Sequence, residues 1–193
     1  MRAKLYIGVR VLLHALFSWY FLVLSARLSV RYLGTLGYVL HGRRLGEELH
    51  RRRVEVWRRV SPLYRDRPRR TLLGFDIYLN PEDSSPVSTS IGVDGVPDLP
   101  LTSLFLEKLG RGVRVVDVGA NLGYFTLLAS GVVGPSGRVY AFEPDPYNAS
   151  LLEKSVAHNR ADNVEVVRRA VCDRAGIVQL YHAPPGNLRL TRR

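Results

Sequence analysis

The sequence contains a single cysteine, Cys172, among 193 residues. One cysteine excludes an internal disulfide framework and fits a reducing compartment. Cysteine and histidine do not recur at the spacing of zinc ligands, so we predict no metal site. We expect Cys172 to be a small core residue, and the chemistry to lie with other residue types.

Long apolar runs are also scarce. The most apolar stretch, Val11–Ala26, is shorter than the roughly 20 residues that a membrane-spanning helix needs. Three interpretations stay open: a helix that lies in a membrane interface or spans the membrane, a helix packed on protein, and a signal peptide without a small-residue cleavage site. The first two are favoured because polar residues recur at helical spacing along one face, namely Arg10, His14, Ser18 and Ser25.

Acidic residues are rare in the first third of the chain. Residues 1–70 hold 16 Lys and Arg against 4 Asp and Glu, whereas residues 71–193 hold 12 against 13. We therefore predict a basic, partly apolar helical appendage over 1–70, with a helix from Leu45 to Ser61, and a separate domain over 71–193. The run Arg65–Arg70 is the candidate phosphate contact, on an anionic membrane surface or nucleic acid. Nucleic acid is disfavoured because only Trp57 and Tyr64 offer nearby stacking rings.

The third glycine of a dinucleotide-binding turn is missing. The chain has Gly119, Asn121 and Gly123 at alternate positions, with Tyr124 following, which disfavours NAD and FAD. Glu143 follows 20 residues after Gly123, the separation expected when the next strand ends in an acid that reaches a ribose. An alternative is a strand-turn-helix whose glycines serve turn geometry alone.

The segments around this turn alternate as in a parallel α/β sheet. We predict strands over 74–79, 114–118 (buried), 137–142, 164–171 and 177–181, and helices over 102–109, 121–130 and 146–158, with a loop over 80–100. Asp145 is the predicted cap of the last helix, since Pro146 takes its first position, and Thr102 is the predicted cap of the first.

Two linked motifs, 117–125 (DVGANLGYF) and 142–144 (FEP), closely resemble the class I methyltransferases, and among them the FkbM family. The resemblance covers about residues 104–182 and implies a doubly wound Rossmann-like sheet that binds S-adenosylmethionine. It assigns Asp117 to the cofactor's amino group and Glu143 to its ribose. The full set of implied cofactor-binding residues is Asp117, Gly119, Ala120, Asn121, Gly123, Phe142, Glu143, Pro144 and Asn163, the last as part of the adenine wall.

The same resemblance implies O-methylation of a sugar or another small hydroxylated metabolite, in a cytoplasmic protein whose first 70 residues are the candidate for membrane association. It also implies further strands after Tyr181, including a lysine-acid-glycine-glutamate segment, so we expect an incomplete domain. No catalytic base can be named. The alternatives are a nucleic-acid methyltransferase and a non-catalytic remnant that binds cofactor alone.

Overall fold

The computed structural model describes residues 47–48, 50–177, 179–183 and 187–191. The chain divides into two compact units, Met1–Val56 and Trp57–Arg193. The apolar run Val11–Ala26 lies outside the described residues, so its helix and its membrane association stay predictions. Within the described ranges, no helix is both long and apolar enough to cross a bilayer.

The described elements follow one another in the order of an α/β domain. They are α1 (residues 50–60), a 3-10 turn (Ser61–Tyr64), β1 (Arg69–Arg70), β2 (Asp76–Ile77), α2 (Pro86–Asp94), α3 (Leu99–Lys108), β3 (Arg114–Val118), α4 (Tyr124–Val133), β4 (Arg138–Phe142), α5 (Pro146–His158), β5 (Val164–Val167), β6 (Gln179–Ala183) and β7 (Asn187–Thr191).

A parallel three-stranded sheet, in the order β3-β4-β5, positions the site. Val118 pairs with Phe142 and Phe142 pairs with Val167, so the carboxyl ends of all three strands meet at one edge. Helices α4 and α5 make the two crossovers, as parallel neighbours require. The predicted α/β class with a Rossmann-like parallel sheet is confirmed. Two short antiparallel pairs, β1-β2 and β6-β7, stand apart from this sheet.

Burial of the sheet is one-sided. Val139 and Ala141 are fully buried and pack in clusters with residues of α4 and α5. Val116 and Val118 point to the other face and are 61% and 59% exposed. Strand β3 was predicted to be buried, and that prediction was wrong: Val115 and Asp117 on the helix face are half-buried, and the other three residues are exposed.

The helix starts show which local signals were informative. Asp145 caps α5 through its carboxylate, which accepts a hydrogen bond from the Asn148 N–H, as predicted. Helix α3 begins earlier than predicted, because Asp98 rather than Thr102 is its cap. Helix α2 lies inside the predicted loop; its cap, Ser85 followed by Pro86, is itself a helix-start pair.

Residues before 71 contribute to the second unit's core. Trp57 is 1% exposed, and its indole N–H donates to the Asp83 carbonyl at 2.8 Å. Its ring fills the space beside Gly92, where a Cβ would lie 2.2 Å from the ring. The packing thus places Trp57 in the core that also contains Ile91 and Leu128. The division into an appendage over 1–70 and a domain over 71–193 stays a prediction.

The structure limits one expectation and contradicts another. The run Arg65–Arg70 is not free for phosphate throughout, because Arg69 donates to the Gly92 carbonyl at 2.9 Å and Arg70 pairs with Asp76 at 2.8 Å. Cys172 is exposed rather than in the core. It lies after β5, which ends at Val167 and not at residue 171 as predicted.

Candidate functional site

The turn after β3 is held in a conformation that favours glycine. Gly119 and Gly123 have φ of +78° and +88°, and Asn121 between them has φ of +51°. The N–H groups of Gly119 and Ala120 both donate to the Phe142 carbonyl, at 2.9 and 3.0 Å. The end of β4 therefore fixes the turn at the carboxyl edge of the sheet.

The two glycines serve different purposes. A Cβ on Gly119 would have no atom within 4 Å, so its open side is available for close approach of a ligand. A Cβ on Gly123 would lie 2.1 Å from Leu152 of α5. The family resemblance implies that both glycines bind the cofactor, whereas the space beside Gly123 is occupied by Leu152 of the neighbouring helix.

Glu143 joins the turn to the next helix. Its side chain belongs to a residue only 4% exposed, and it accepts hydrogen bonds from the Asn121 N–H at 2.7 Å and the Asp145 N–H at 2.9 Å. Burial raises the pKa of Glu143, the two hydrogen bonds oppose that rise, and the nearby charges of Asp145 and Asp117 add to it. A carboxylate offers about four acceptor positions, so two remain after these bonds.

Asp117 lies on the other side of the turn. Its Oδ2 accepts a hydrogen bond of 2.6 Å from the Thr126 hydroxyl of α4, and burial raises its pKa against the effect of that bond. Asp117 lines a cavity of about 340 Å³ together with Gly119, Ala120 and Asn121. The cavity thus presents a carboxylate beside bare backbone.

Phe142 and Pro144 border a second cavity at the same sheet edge. Its wall continues through the segment after β5, which includes Ala170 and Val171. The Glu143 N–H donates to the Val167 carbonyl at 3.0 Å, so the ends of β4 and β5 stay side by side here. Phe142 and Pro144, the neighbours of Glu143 in sequence, are thus apolar parts of a wall that also includes Arg168, Arg169 and Arg174.

Asn163 is not part of this arrangement. It precedes β5, and its carbonyl accepts from the Val139 N–H at the opposite, amino-terminal edge of the sheet. Its side chain accepts from the Ser130 hydroxyl at 2.6 Å and donates to the Gly134 carbonyl at 2.8 Å. The assignment of Asn163 to an adenine wall was therefore wrong, because its side chain ties α4 to the start of β5.

The structure brings together the other eight predicted residues, from Asp117 to Pro144 along the chain. Sequence reasoning missed Thr126 and the segment 168–171. The rule that ligands lie at the carboxyl ends of parallel strands would have pointed to residues after β5 rather than before it. Thr126 follows Asp117 by nine positions and lies in the first turn of α4. That spacing alone does not predict a contact between the two side chains.

Known proteins match parts of this chain. It is 32% identical over 90 residues to the "Probable cobalt-precorrin-6B C(15)-methyltransferase (decarboxylating)" of Sulfolobus acidocaldarius, a match that covers 39% of this chain and 47% of that protein. It is 39% identical over 82 residues to the 31-O-demethyl-FK506 methyltransferase FkbM of Streptomyces tacrolimicus, covering 42% and 30% respectively. The chain thus spans less than half the length of these curated relatives. No protein-family model matches it.

Among solved structures, a SAM-dependent methyltransferase from Aquifex aeolicus matches 36% of this chain and 37% of its own, at 30% identity and a TM-score of 0.34. By their names, the curated relatives described above are methyltransferases of different acceptors, C(15) of a cobalt-precorrin in one and the 31-O-demethyl form of FK506 in the other. The two relatives thus share methyl transfer by name, and this chain matches less than half of each.

Proposed function

We propose that residues 57–193 form the S-adenosylmethionine-binding part of a methyltransferase, with the cofactor at the carboxyl edge of the sheet. The observation that carries this proposal is the buried Glu143, which accepts a hydrogen bond from the glycine turn at Asn121. As a carboxylate it has further acceptor positions, which would serve the two ribose hydroxyls. Charge-assisted hydrogen bonds of that kind discriminate strongly for a hydroxylated ligand.

The rest of the edge fits the same ligand. Gly119 leaves open space at the turn, and α4 has Gly123 at its N-cap and no side-chain cap, so its first N–H groups suit a carboxylate. Asp117 supplies a negative charge for an ammonium group. Phe142 and Pro144 supply an apolar border for a purine ring.

When bound, the cofactor supplies an already activated methyl group, so the protein's own contribution is to bind, orient and exclude water. Glu143 and Asp117 orient the two ends of the ligand, and the turn between them fixes their separation. A sulfonium is positively charged, and the charges of these two carboxylates also favour it electrostatically.

We propose a hydroxyl of a sugar or small metabolite as the methyl acceptor. The FkbM relative supports this, because its name describes transfer to a demethylated oxygen. By its name, the precorrin relative methylates a carbon, C(15). An oxygen acceptor is therefore supported by one of the two relatives described above.

Calorimetric titration of the 193-residue chain with S-adenosylmethionine tests the cofactor proposal. We expect a saturable isotherm near one ligand per chain, and heat of dilution alone would overturn the cofactor proposal.

The acceptor is tested by measuring release of S-adenosylhomocysteine. The assay uses the chain alone and a version extended by the carboxyl-terminal part of the Streptomyces relative. We expect turnover by the extended version with hydroxylated acceptors and none with the matched deoxy acceptors; equal rates would contradict O-methylation.

A further inference from the structure

Three threonines within the described helices are fully buried, and they use their hydroxyls differently. Thr89 and Thr102 are 0% and 1% exposed, and each donates to the carbonyl four residues earlier, which belongs to the N-cap of its helix. That bond is the ordinary way for a helical threonine to satisfy its hydroxyl. Thr126 is also 0% exposed, yet its hydroxyl donates at 2.6 Å to Oδ2 of Asp117 on strand β3.

This bond leaves the other Asp117 oxygen free for a ligand. Among the described residues, Oδ1 accepts no hydrogen bond, and Asp117 lines the cavity beside the glycine turn. When one oxygen of a carboxylate is held by a hydrogen bond, the position of the second oxygen is also fixed. Because the side chain is already ordered, it loses less conformational freedom when a ligand binds. The hydroxyl also favours the ionised carboxylate that burial opposes.

We propose that Thr126 is a positioning residue for the cofactor's ammonium group, acting through Asp117. This inference rests on the proposed cofactor site and adds to it the residue that aims its negative charge. Thr126 is fully buried, and its hydroxyl is the group that contacts Asp117.

Other charged groups surround Asp117. Glu143 beyond the turn adds a repulsive negative charge, and Asp98 at the start of α3 lines the same cavity. The Tyr124 hydroxyl, whose pKa burial raises, is neutral at physiological pH and faces Thr102 at 3.5 Å. Since both neighbouring charges are negative, the Thr126 hydroxyl is the group that favours ionised Asp117.

Two substitutions separate the hydroxyl from the methyl group. Thr126→Val keeps the shape and removes the donor, whereas Thr126→Ser keeps the donor. We expect Thr126→Val to weaken S-adenosylhomocysteine binding about tenfold, the scale of one charge-assisted hydrogen bond. Thr126→Ser should stay within about threefold of the wild type, because a hydroxyl at the same position remains available to Asp117. Binding of 5′-methylthioadenosine, which lacks the ammonium group, should not change in either variant.

A structural role alone would weaken both ligands equally, and that result would overturn the proposal. A second readout needs no ligand: carbon-detected NMR of the Asp117 carboxyl against pH. We expect its pKa to be higher in Thr126→Val and restored in Thr126→Ser, and an unchanged titration would contradict the inference. Failure of the wild type to bind S-adenosylmethionine would instead overturn the proposed function, so the two failures are distinguishable.

Discussion

Replacement of Glu143 by glutamine probes the site with the least change of shape. The carboxylate accepts from the Asn121 and Asp145 N–H groups at 2.7 and 2.9 Å. Glutamine has one carbonyl oxygen, so one of these N–H groups would face an amide that donates. The variant therefore loses both the negative charge and an acceptor that the ribose hydroxyls need.

We expect Glu143→Gln to weaken S-adenosylmethionine binding by about 1.5–3 kcal/mol, the value of a hydrogen bond to a charged group. That range corresponds to a dissociation constant roughly 10-fold to 150-fold higher. Calorimetric titration measures it directly. The matched control is Glu165→Gln on β5, where the side chain is 51% exposed and its ion pair with Arg138 spans 3.7 Å. An exposed pair contributes about 0–1 kcal/mol to stability, and the control should bind normally.

A disturbed turn could also weaken binding without any contact between Glu143 and the ribose. The 2′-deoxy analogue of S-adenosylhomocysteine separates these causes, because part of the penalty should disappear when the ligand lacks a hydroxyl for Glu143 to accept. Equal affinities of Glu143→Gln and the wild type for S-adenosylmethionine would refute the ribose assignment. An equal penalty for both ligands would limit Glu143 to holding the turn.

The remaining predictions concern stability and its relation to binding. Gly123→Ala should destabilise the fold by about 2–5 kcal/mol, because the residue has a left-handed backbone conformation and a Cβ would clash with Leu152. Gly131→Ala in α4 should not destabilise the fold, because a Cβ there has open space around it. Thermal unfolding measures both variants. Asn163→Ala should cost about 1–3 kcal/mol of stability and leave cofactor affinity unchanged, and weaker binding would return Asn163 to the site. Because burial raises the pKa of Asp117, its ionisation costs stability as pH rises above the ordinary value of 3.8. Asp117→Asn should therefore raise the melting temperature at pH 7 and weaken binding, and a lower melting temperature would contradict this.

Local sequence predicted the elements that short-range chemistry determines. Strands β3 and β4 and helix α5 appear within a residue of their predicted bounds, because hydrophobic pattern, Asp145 and Pro146 all agree there. Helix α2 was missed because serine and proline suggest loops, although Ser85 and Pro86 begin a helix. Here the cap was more informative than the composition.

Long-range contacts account for what sequence reasoning could not supply. The motif predicted a glycine turn after β3, but not that Leu152, 29 positions later, explains Gly123. Asn163 was assigned to the site because it is next to β5 in sequence. It precedes the amino end of that strand, whereas the site lies at the carboxyl end. Thr126 was invisible because its partner lies on another element. Packing between elements decides each of these cases.

The location of the cofactor site is tested most directly by titrating an isotope-labelled chain with S-adenosylmethionine and following its backbone amide resonances. The account predicts that shifts concentrate at the carboxyl edge of the sheet, over residues 117–126 and 142–145, and spare Asn163 and Gly134 at the opposite edge. Shifts centred on Asn163, or none at a saturating concentration, would contradict the account.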